Sequence, residues 1–178
     1  AAAVNGLPEW SYEKTANGRL RFSAGSGFYL SGSHAATIDA SVSGTYSENY
    51  LIATLNLSDY ASSGNLELSF NYMHHGEESH ATDRVWIRGS NSDSWIEIYD
   101  LYSNRGTAGV WNYVNQIDID QLLAGAGQLP TSTFQIRFGQ QDNYPATSTT
   151  ASDGFSFDDI TVKEIDPSAY IISSFPYS

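Results

Sequence analysis

The segment D-G-F-S-F-D-D-I contains three aspartates that could bind a divalent cation: Asp153, Asp158 and Asp159. Strict alternation along a strand would place Phe157 and Asp159 on one face and Ile160 on the other. Either a bulge shifts the register near the paired aspartates, or this strand is buried on both faces. A buried carboxylate needs a partner, and calcium, which takes several oxygen ligands, is the simplest one. The alternative is a solvated acidic strand end.

A second acidic segment, H-H-G-E-E-S-H-A-T-D, follows a predicted strand. Its carboxylates Glu77, Glu78 and Asp83 could complete the same calcium site or form another one. Their spacing is not that of an EF-hand, which needs a glycine and a terminal glutamate at fixed offsets. The histidines of the segment could suggest zinc, but the H-E-x-x-H pattern is absent, and histidines in a polar loop more often face solvent.

Aromatic side chains supply a second kind of candidate site, because an exposed ring can stack on the apolar face of a sugar. The candidates are Trp86, Trp111, Tyr113 and Tyr144. Trp86 has the opposite parity to Val85 and Ile87, so one of these two faces of the strand leaves the core. The alternative is that the tryptophans belong to the core, which is the favoured interpretation for Trp10 and Trp95.

Composition and motifs exclude several functions. The chain has 20 acidic and 8 basic residues and a net charge of −12, which disfavours nucleic acid and anionic membranes as partners and favours cations. Cysteine is absent, which excludes disulfides and thiolate metal sites. No apolar run has the roughly 20 residues of a membrane helix. No nucleophile elbow or phosphate-binding loop is found, and carboxylate pairs are expected by chance in so acidic a chain.

The elements that must position these residues are strands, because apolar and polar residues alternate with a period of two. The clearest examples are L-E-L-S-F-N-Y and F-Q-I-R-F, which begin at Leu66 and Phe134. Other predicted strands cover Leu20–Phe22, Gly27–Leu30, Ala36–Val42, Tyr50–Leu57, Arg84–Arg88, Trp95–Tyr99, Val110–Ile119 and Phe155–Val162. This spacing predicts an all-β fold, an antiparallel two-sheet β-sandwich (jelly roll) of about ten strands with minimal helix.

The helix content and the domain limits follow from the same pattern. One short helical turn is predicted at Asp120–Ala124, with Asp118 or Asp120 as its cap and Gly125 as its stop. Residues 1–165 are expected to form the jelly-roll domain, since the core pattern ends after Val162. Residues 166–178, which contain two prolines, are expected to be a linker or the start of a following module. A disordered tail is the alternative.

Several stretches, taken in order, resemble MAM-like and carbohydrate-binding-module-like jelly rolls of secreted bacterial multidomain proteins. S-G-S-H-A-A-T-I-D, N-Y-L-I-A-T-L-N-L-S and L-E-L-S-F-N-Y are similar to their early strands. D-R-V-W-I-R-G-S-N-S-D-S-W-I-E-I-Y-D-L looks like the paired strands with a tryptophan that follow. F-Q-I-R-F-G-Q-Q-D-N-Y-P and D-G-F-S-F-D-D-I look like the closing hairpin. The likeness covers roughly residues 19–163, but the chain lacks the cysteines of true MAM domains.

The resemblance implies a structural calcium ion held first by Asp158 and second by Asp159, and an extracellular module in tandem with others. We therefore expect a non-catalytic, Ca²⁺-stabilised module of a larger secreted or cell-surface protein that recognises a glycan or surface polymer. The alternative is a structural, adhesion or accessory spacer domain that contacts neighbouring modules of the same chain. A glycoside hydrolase is a remote third possibility, and the isolated domain is expected to be monomeric.

Overall fold

Alternating apolar and polar residues fold into two antiparallel sheets that pack face to face as a jelly-roll β-sandwich. The computed structural model of the chain describes residues 2–4, 6–22, 28–62, 64–76, 78–147 and 153–165. The strands are β1 (Ala2–Val4), β2 (Leu7–Lys14), β3 (Gly18–Arg21), β4 (Ala36–Ala40), β5 (Ser47–Leu55), β6 (Leu66–His74), β7 (Arg84–Arg88), β8 (Ile96–Asp100), β9 (Asn112–Asp118), β10 (Phe134–Asp142) and β11 (Phe155–Glu164). The predicted fold class is confirmed, with eleven strands in the described residues.

Two sheets of unequal width enclose the core. The six-stranded sheet has the order β1-β2-β5-β10-β7-β8, and the five-stranded sheet has the order β3-β4-β11-β6-β9. Their inner faces meet in an aromatic cluster, in which the ring centroid of Phe138 lies 5.3 Å from that of Phe70 and 4.7 Å from that of Phe157. Because Phe138 comes from one sheet and the other two rings from the opposite sheet, this cluster joins the two layers.

The core faces of strands β6 and β10 carry the residues that the alternation predicted. Leu68, Phe70 and Tyr72 of β6 are fully buried, and so are Phe134, Ile136 and Phe138 of β10. The intervening side chains of β10, including Arg137, lie on the outer face of the sheet and are only partly covered. The period of two therefore places half of each strand in the core.

Strand β11 contains the bulge that the sequence left as one of two alternatives. Its pairing with β6 slips between Asp158 and Thr161, and Asp159 has a positive φ of 48°. The extra residue lets Phe157 before the bulge and Ile160 after it both pack against the core. The bulge thus resolves the parity conflict in D-G-F-S-F-D-D-I.

The helical segments are short. Helix α1 (Ile119–Gly125) begins after the N-cap Asp118, whose side chain accepts a hydrogen bond of 2.8 Å from the backbone N–H of Gln121. Its buried residues Ile119 and Leu123 fix it to the core, as expected for a helix too short to be stable alone. Among the residues that the structure describes, no helix has the length and apolar character needed to cross a membrane.

Parts of the strand prediction are wrong at the N-terminal end. Strands β1 and β2 were not predicted. The burial of β2 does not alternate along the strand, so its sequence carries no period of two. Gly27 lies outside the described residues, and residues 28–30 form no strand. The backbone N–H of Leu30 bonds instead to the side chain of Asp158, at 2.8 Å. The predicted linker at 166–178 also lies outside the described residues.

Candidate functional site

Three carboxylates from distant parts of the chain meet at one end of the sandwich. Glu78 lies in the connection between β6 and β7, Asp142 ends β10, and Asp153 precedes β11. One ligand atom from each lies within 4.8 Å of the others. We call these residues the acidic cluster. It includes two predicted calcium ligands, Asp153 and Glu78, and one residue that was not predicted, Asp142.

Asp142 is the deepest member of the acidic cluster. Its side chain is fully buried, and its Oδ1 accepts hydrogen bonds from the backbone N–H groups of Asn143 and Tyr144. Its Oδ2 is buried without a hydrogen-bond partner among the described residues. Burial and the neighbouring carboxyl of Asp153 raise the pKa of Asp142 to about 9. Among the described residues, no cationic side chain is paired with this carboxyl group.

A buried polar layer separates the acidic cluster from the apolar core. Asn49 donates a hydrogen bond of 2.6 Å from Nδ2 to Oε1 of Gln140, and its Oδ1 accepts one from the hydroxyl of Tyr12. Gln140 and Asp142 share the inner face of β10 with the core phenylalanines. The interior of the sandwich thus changes from apolar to polar along β10, and the acidic cluster lies at the polar end.

The structure does not bring the predicted ligands Asp158 and Asp159 to the acidic cluster. The Oδ2 of Asp158 accepts hydrogen bonds from the backbone N–H groups of Leu30, at 2.8 Å, and Ser31, at 3.1 Å. Asp159 is exposed and accepts a hydrogen bond of 2.6 Å from the hydroxyl of Ser31. These aspartates therefore fasten the segment before β4 to the bulge of β11, which is a structural use of both carboxylates. Glu77, the remaining glutamate of the predicted set, lies outside the described residues.

Hydrogen bonds within the protein also satisfy the carboxylate oxygens of Asp83. It is fully buried, and its two oxygens accept hydrogen bonds from the backbone N–H groups of His80, at 2.7 Å, and Gln141, at 3.1 Å. The carboxylate joins the loop before β7 to strand β10. Asp83 lies apart from the acidic cluster, since among the described residues the group of converging ligands does not contain it.

The pKa of Asp83 predicts a pH-dependent contribution to stability. Burial raises this pKa to about 6, against the opposing effects of the two backbone N–H groups and of His80 and Arg84. The folded state therefore holds the proton more tightly than the unfolded state, so the contribution of Asp83 falls as pH rises from about 4 to about 6. We expect the stability advantage of the wild type over Asp83→Asn to shrink by up to about 3 kcal/mol across that range. Urea unfolding of both proteins between pH 4 and pH 7 measures it, and a constant difference would contradict the assignment.

The histidines do not converge on a metal site. The Nε2 of His75 is hydrogen bonded at 2.9 Å to the hydroxyl of Ser156, and His80 lies against the carboxylate of Asp83. Burial lowers the pKa of His74 below the ordinary value of histidine. Within the described ranges, the converging group of metal-ligating side chains contains no histidine. His74 and His75 are buried, although the sequence favoured solvent-facing histidines.

The outer face of the six-stranded sheet carries a second candidate site. The guanidinium of Arg137 lies 4.1 Å from the ring centroid of Trp86, 4.3 Å from that of Trp95 and 4.8 Å from that of Tyr50. The guanidinium of Arg88 also lies close to Trp95, at 4.2 Å from a ring centroid. We call these five residues the aromatic–arginine face. All five are partly exposed, so the face combines planar rings with cationic hydrogen-bond donors.

Hydrogen bonds and close packing fix the aromatic–arginine face. Arg88 donates from Nε to Oε1 of Gln135, at 2.8 Å, and Gln135 donates from Nε2 to the hydroxyl of Thr54, at 2.9 Å. The ring of Trp86 packs across Gly139, where an added Cβ would lie only 2.6 Å from the ring. A glycine at this position is therefore required for the ring to lie where it does. Trp86 is partly exposed while Val85 and Ile87 are buried, so the face of β7 that carries Trp86 is the one that leaves the core.

The other predicted ligand-contacting aromatics do not join the aromatic–arginine face. Trp111 packs against a small separate cluster that contains Phe28 and Met73. Tyr113 is 62% exposed on β9, an edge strand of the other sheet, and Tyr144 is 48% exposed in the turn after β10. Trp95, which the sequence favoured as a core residue, lies on the aromatic–arginine face instead.

Solved structures with a similar arrangement of strands include carbohydrate-binding modules. The family 30 carbohydrate-binding module of a cellulosomal cellulase of Clostridium thermocellum is 14% identical, with a TM-score of 0.50 over 90% of this chain and 89% of that one. This chain has the fold of that module. The family 11 module of the same organism, in complex with a β-1,3-1,4-mixed-linked tetrasaccharide, is 14% identical, with a TM-score of 0.47 over 89% of this chain and 90% of that one.

An adhesin domain is also similar in structure. The K2 cleaved adhesin domain of Lys-gingipain is 14% identical, with a TM-score of 0.47 over 91% of this chain and 94% of that one. The sequence matches no protein-family model and no curated protein. The shared feature is therefore the jelly-roll fold, and the function has to be argued from the residues on its surface.

The alternation of apolar and polar residues in β10 also carries a signal for Asp142. Asp142 has the same parity in β10 as Phe134, Ile136 and Phe138, which all face the core. The alternation therefore indicates an inward-facing carboxylate at the end of a core strand, which is the kind of residue that needs a partner. The stacking of Arg137 on three rings depends on the pairing of β10 with β5 and β7, for which the sequence carries no comparable signal.

Proposed function

We propose that this chain is a non-catalytic glycan-binding module of a larger secreted or cell-surface protein, and that it binds through the aromatic–arginine face. The observation that carries the proposal is the outward-facing group of three aromatic rings and two arginines on one sheet. Glycan rings have apolar CH faces and many hydroxyl groups. A surface that offers aromatic planes beside hydrogen-bond donors matches both features.

The rigidity of the aromatic–arginine face supports the proposal. Trp86 is fixed by packing across Gly139, and Arg88 is fixed by Gln135. Side chains that are already ordered lose little further conformational entropy when a ligand binds. Glu13, on the flanking strand β2, interacts electrostatically with Arg88 and Arg137 and offsets part of their charge. We therefore expect a neutral or weakly charged glycan rather than a polyanion.

The experiment is affinity electrophoresis of the purified domain against soluble polysaccharides, followed by calorimetry of any that bind. The panel contains β-glucan, xyloglucan, xylan, mannan and one acidic polymer such as pectin. We expect at least one neutral polysaccharide to bind the wild type. Trp86→Ala and Trp95→Ala should weaken that binding at least tenfold, because truncating a central aromatic anchor has effects of this size.

A matched control is Trp111→Ala, which removes a half-buried tryptophan outside the aromatic–arginine face. Thermal unfolding of each variant verifies that it is folded at the temperature of the binding experiment. If Trp111→Ala abolished binding while Trp86→Ala did not, the proposed face would be the wrong surface. If no polysaccharide bound the folded wild type, the glycan-binding function itself would be overturned.

The arrangement of Arg137 favours a second candidate function, that of a spacer or adhesion module without a small ligand. Its guanidinium already covers faces of Trp86, Trp95 and Tyr50, and a covered ring face cannot stack on a sugar. The Nε of Arg137 is also buried without a hydrogen-bond partner among the described residues, so that part of the guanidinium does not face a ligand. A negative polysaccharide panel with the fold intact is the result expected for this alternative.

A further inference from the structure

We infer that the acidic cluster is a calcium site that fastens three segments of the chain at one end of the sandwich. The segments are the β6–β7 connection with Glu78, the end of β10 with Asp142, and the residue pair before β11 with Asp153. Strand β10 belongs to the six-stranded sheet, while β6 and β11 belong to the five-stranded sheet. An ion held by all three carboxylates would therefore link the two layers.

The distances between the ligand atoms are compatible with a single bound calcium ion. Calcium binds oxygen at about 2.3–2.6 Å, so two oxygens on one ion can be at most about 5.2 Å apart. The three ligand atoms of the acidic cluster all lie within 4.8 Å of one another. Separations within this limit are compatible with one shared ion.

The environment of Asp142 is the second, independent observation. The residue is 0% exposed, and its Oδ2 has no hydrogen-bond partner among the described residues. The Oδ1 of the next residue, Asn143, is likewise buried without a partner in the described part of the chain. A buried oxygen without a donor costs folding free energy, and a cation removes that cost for a carboxylate and an amide oxygen alike.

The chemistry of the donors selects the kind of cation. All three ligand side chains are carboxylates, and oxygen-only sites favour calcium or magnesium over zinc or copper. Magnesium retains several waters and is seldom held by all-protein oxygen cages, whereas calcium accepts irregular sites with many ligands. Glu78 is exposed, so an ion can enter from solvent, and the net charge of −12 attracts cations to the surface.

The test measures thermal unfolding of the wild type and Asp142→Asn in EDTA and in a few millimolar calcium chloride. We expect calcium at a hundredfold excess over its Kd to raise the melting temperature of the wild type by about 5–10 °C. Asp142→Asn keeps the Oδ1 that accepts two backbone hydrogen bonds, so it should fold. In EDTA it should melt at or above the wild type, because the amide is a neutral group of the same shape that cannot ionise beside Asp153, and calcium should scarcely shift it.

Asp158→Asn is the matched control, because the resemblance to jelly-roll modules implies Asp158 as a ligand and the structure gives it another use. It should keep the calcium response of the wild type. Calorimetric titration with calcium chloride should give one ion per chain for the wild type and none for Asp142→Asn. Should Asp142→Asn fail to fold, Asp153→Asn replaces it. The inference is overturned if calcium leaves the wild type unchanged, if Asp142→Asn responds equally, or if Asp158→Asn loses the response.

Discussion

Replacing Phe138 by alanine will lower the free energy of unfolding by about 3–5 kcal/mol, the range typical of large aromatic truncations in cores. Phe138 is fully buried, and its ring packs against Phe70 and Phe157 of the opposite sheet. Truncation removes the apolar transfer free energy of the ring and leaves a cavity where the two layers meet. The strands on both sides are held by their ladders and cannot collapse fully into that space.

Two controls separate this effect from a general intolerance of substitution. Phe138→Leu keeps most of the volume and should cost about 1.5 kcal/mol or less. Tyr113→Ala removes a large but 62% exposed ring and should change stability by about 0.5 kcal/mol at most. Denaturant unfolding of the three variants gives the free energies. If Phe138→Ala lowered the free energy of unfolding by less than Phe138→Leu does, the aromatic cluster would not join the sheets.

Asp39→Ala will destabilise the fold by an amount in the same range, about 3–5 kcal/mol, for an electrostatic reason. The carboxylate is fully buried in β4 and accepts hydrogen bonds from Arg19, at 2.8 and 2.6 Å, and from Arg21, at 2.9 Å. It also accepts one of 2.8 Å from the backbone N–H of Ala146, in the segment after β10. Removing it leaves two partly buried guanidiniums together and releases that segment.

A surface ion pair provides the contrast for Asp39. Lys163 and Glu67 approach to 3.3 Å, but the lysine side chain is 48% exposed. The glutamate side chain is only 13% exposed, so the exposed partner is the one to remove. Such pairs contribute at most about 1 kcal/mol, so Lys163→Ala should be nearly neutral. The Asp39 effect should also persist at high salt, where exposed pairs are screened. Equal losses for the two variants, or a loss for Asp39→Ala that disappears in salt, would contradict the role assigned to Asp39.

The fold could be predicted from the sequence where one face of a strand meets the core and the other meets solvent. Strand β10 satisfies that condition, and its alternation gave the buried residues directly. Strand β6 satisfies it only in part, because Ser69 and Met73 on its second face are also buried. Strand β2 does not, because it lies next to the edge strand β1 and its burial follows no period. The bulge in β11 was foreseen as one of two alternatives, since only a shift of register lets Phe157 and Ile160 share a face.

The acidic cluster could be predicted only in part. Its residue types and two of its members followed from the excess of carboxylates, but which carboxylates meet depends on how the loops leave the strands. Asp158 and Asp159 belong to the same acidic segment as Asp153, yet nearby backbone and hydroxyl groups satisfy their carboxylates. The aromatic–arginine face required the register of three strands, and that register is set by packing rather than by local sequence.

The pairing of β5 with β10 has a consequence for how the chain folds. Thr54 and Gln135 lie opposite each other and are hydrogen bonded, although 81 residues separate them in the chain. Such distant partners must find each other before their contacts compensate for the entropy of closing the intervening loop. We therefore expect folding on the millisecond-to-second scale that is typical of β-sandwiches. During synthesis, the backbone edge of β5 that pairs with β10 stays unpaired until β10 has left the ribosome, and the apolar residues Leu51 and Ala53 stay uncovered for the same interval.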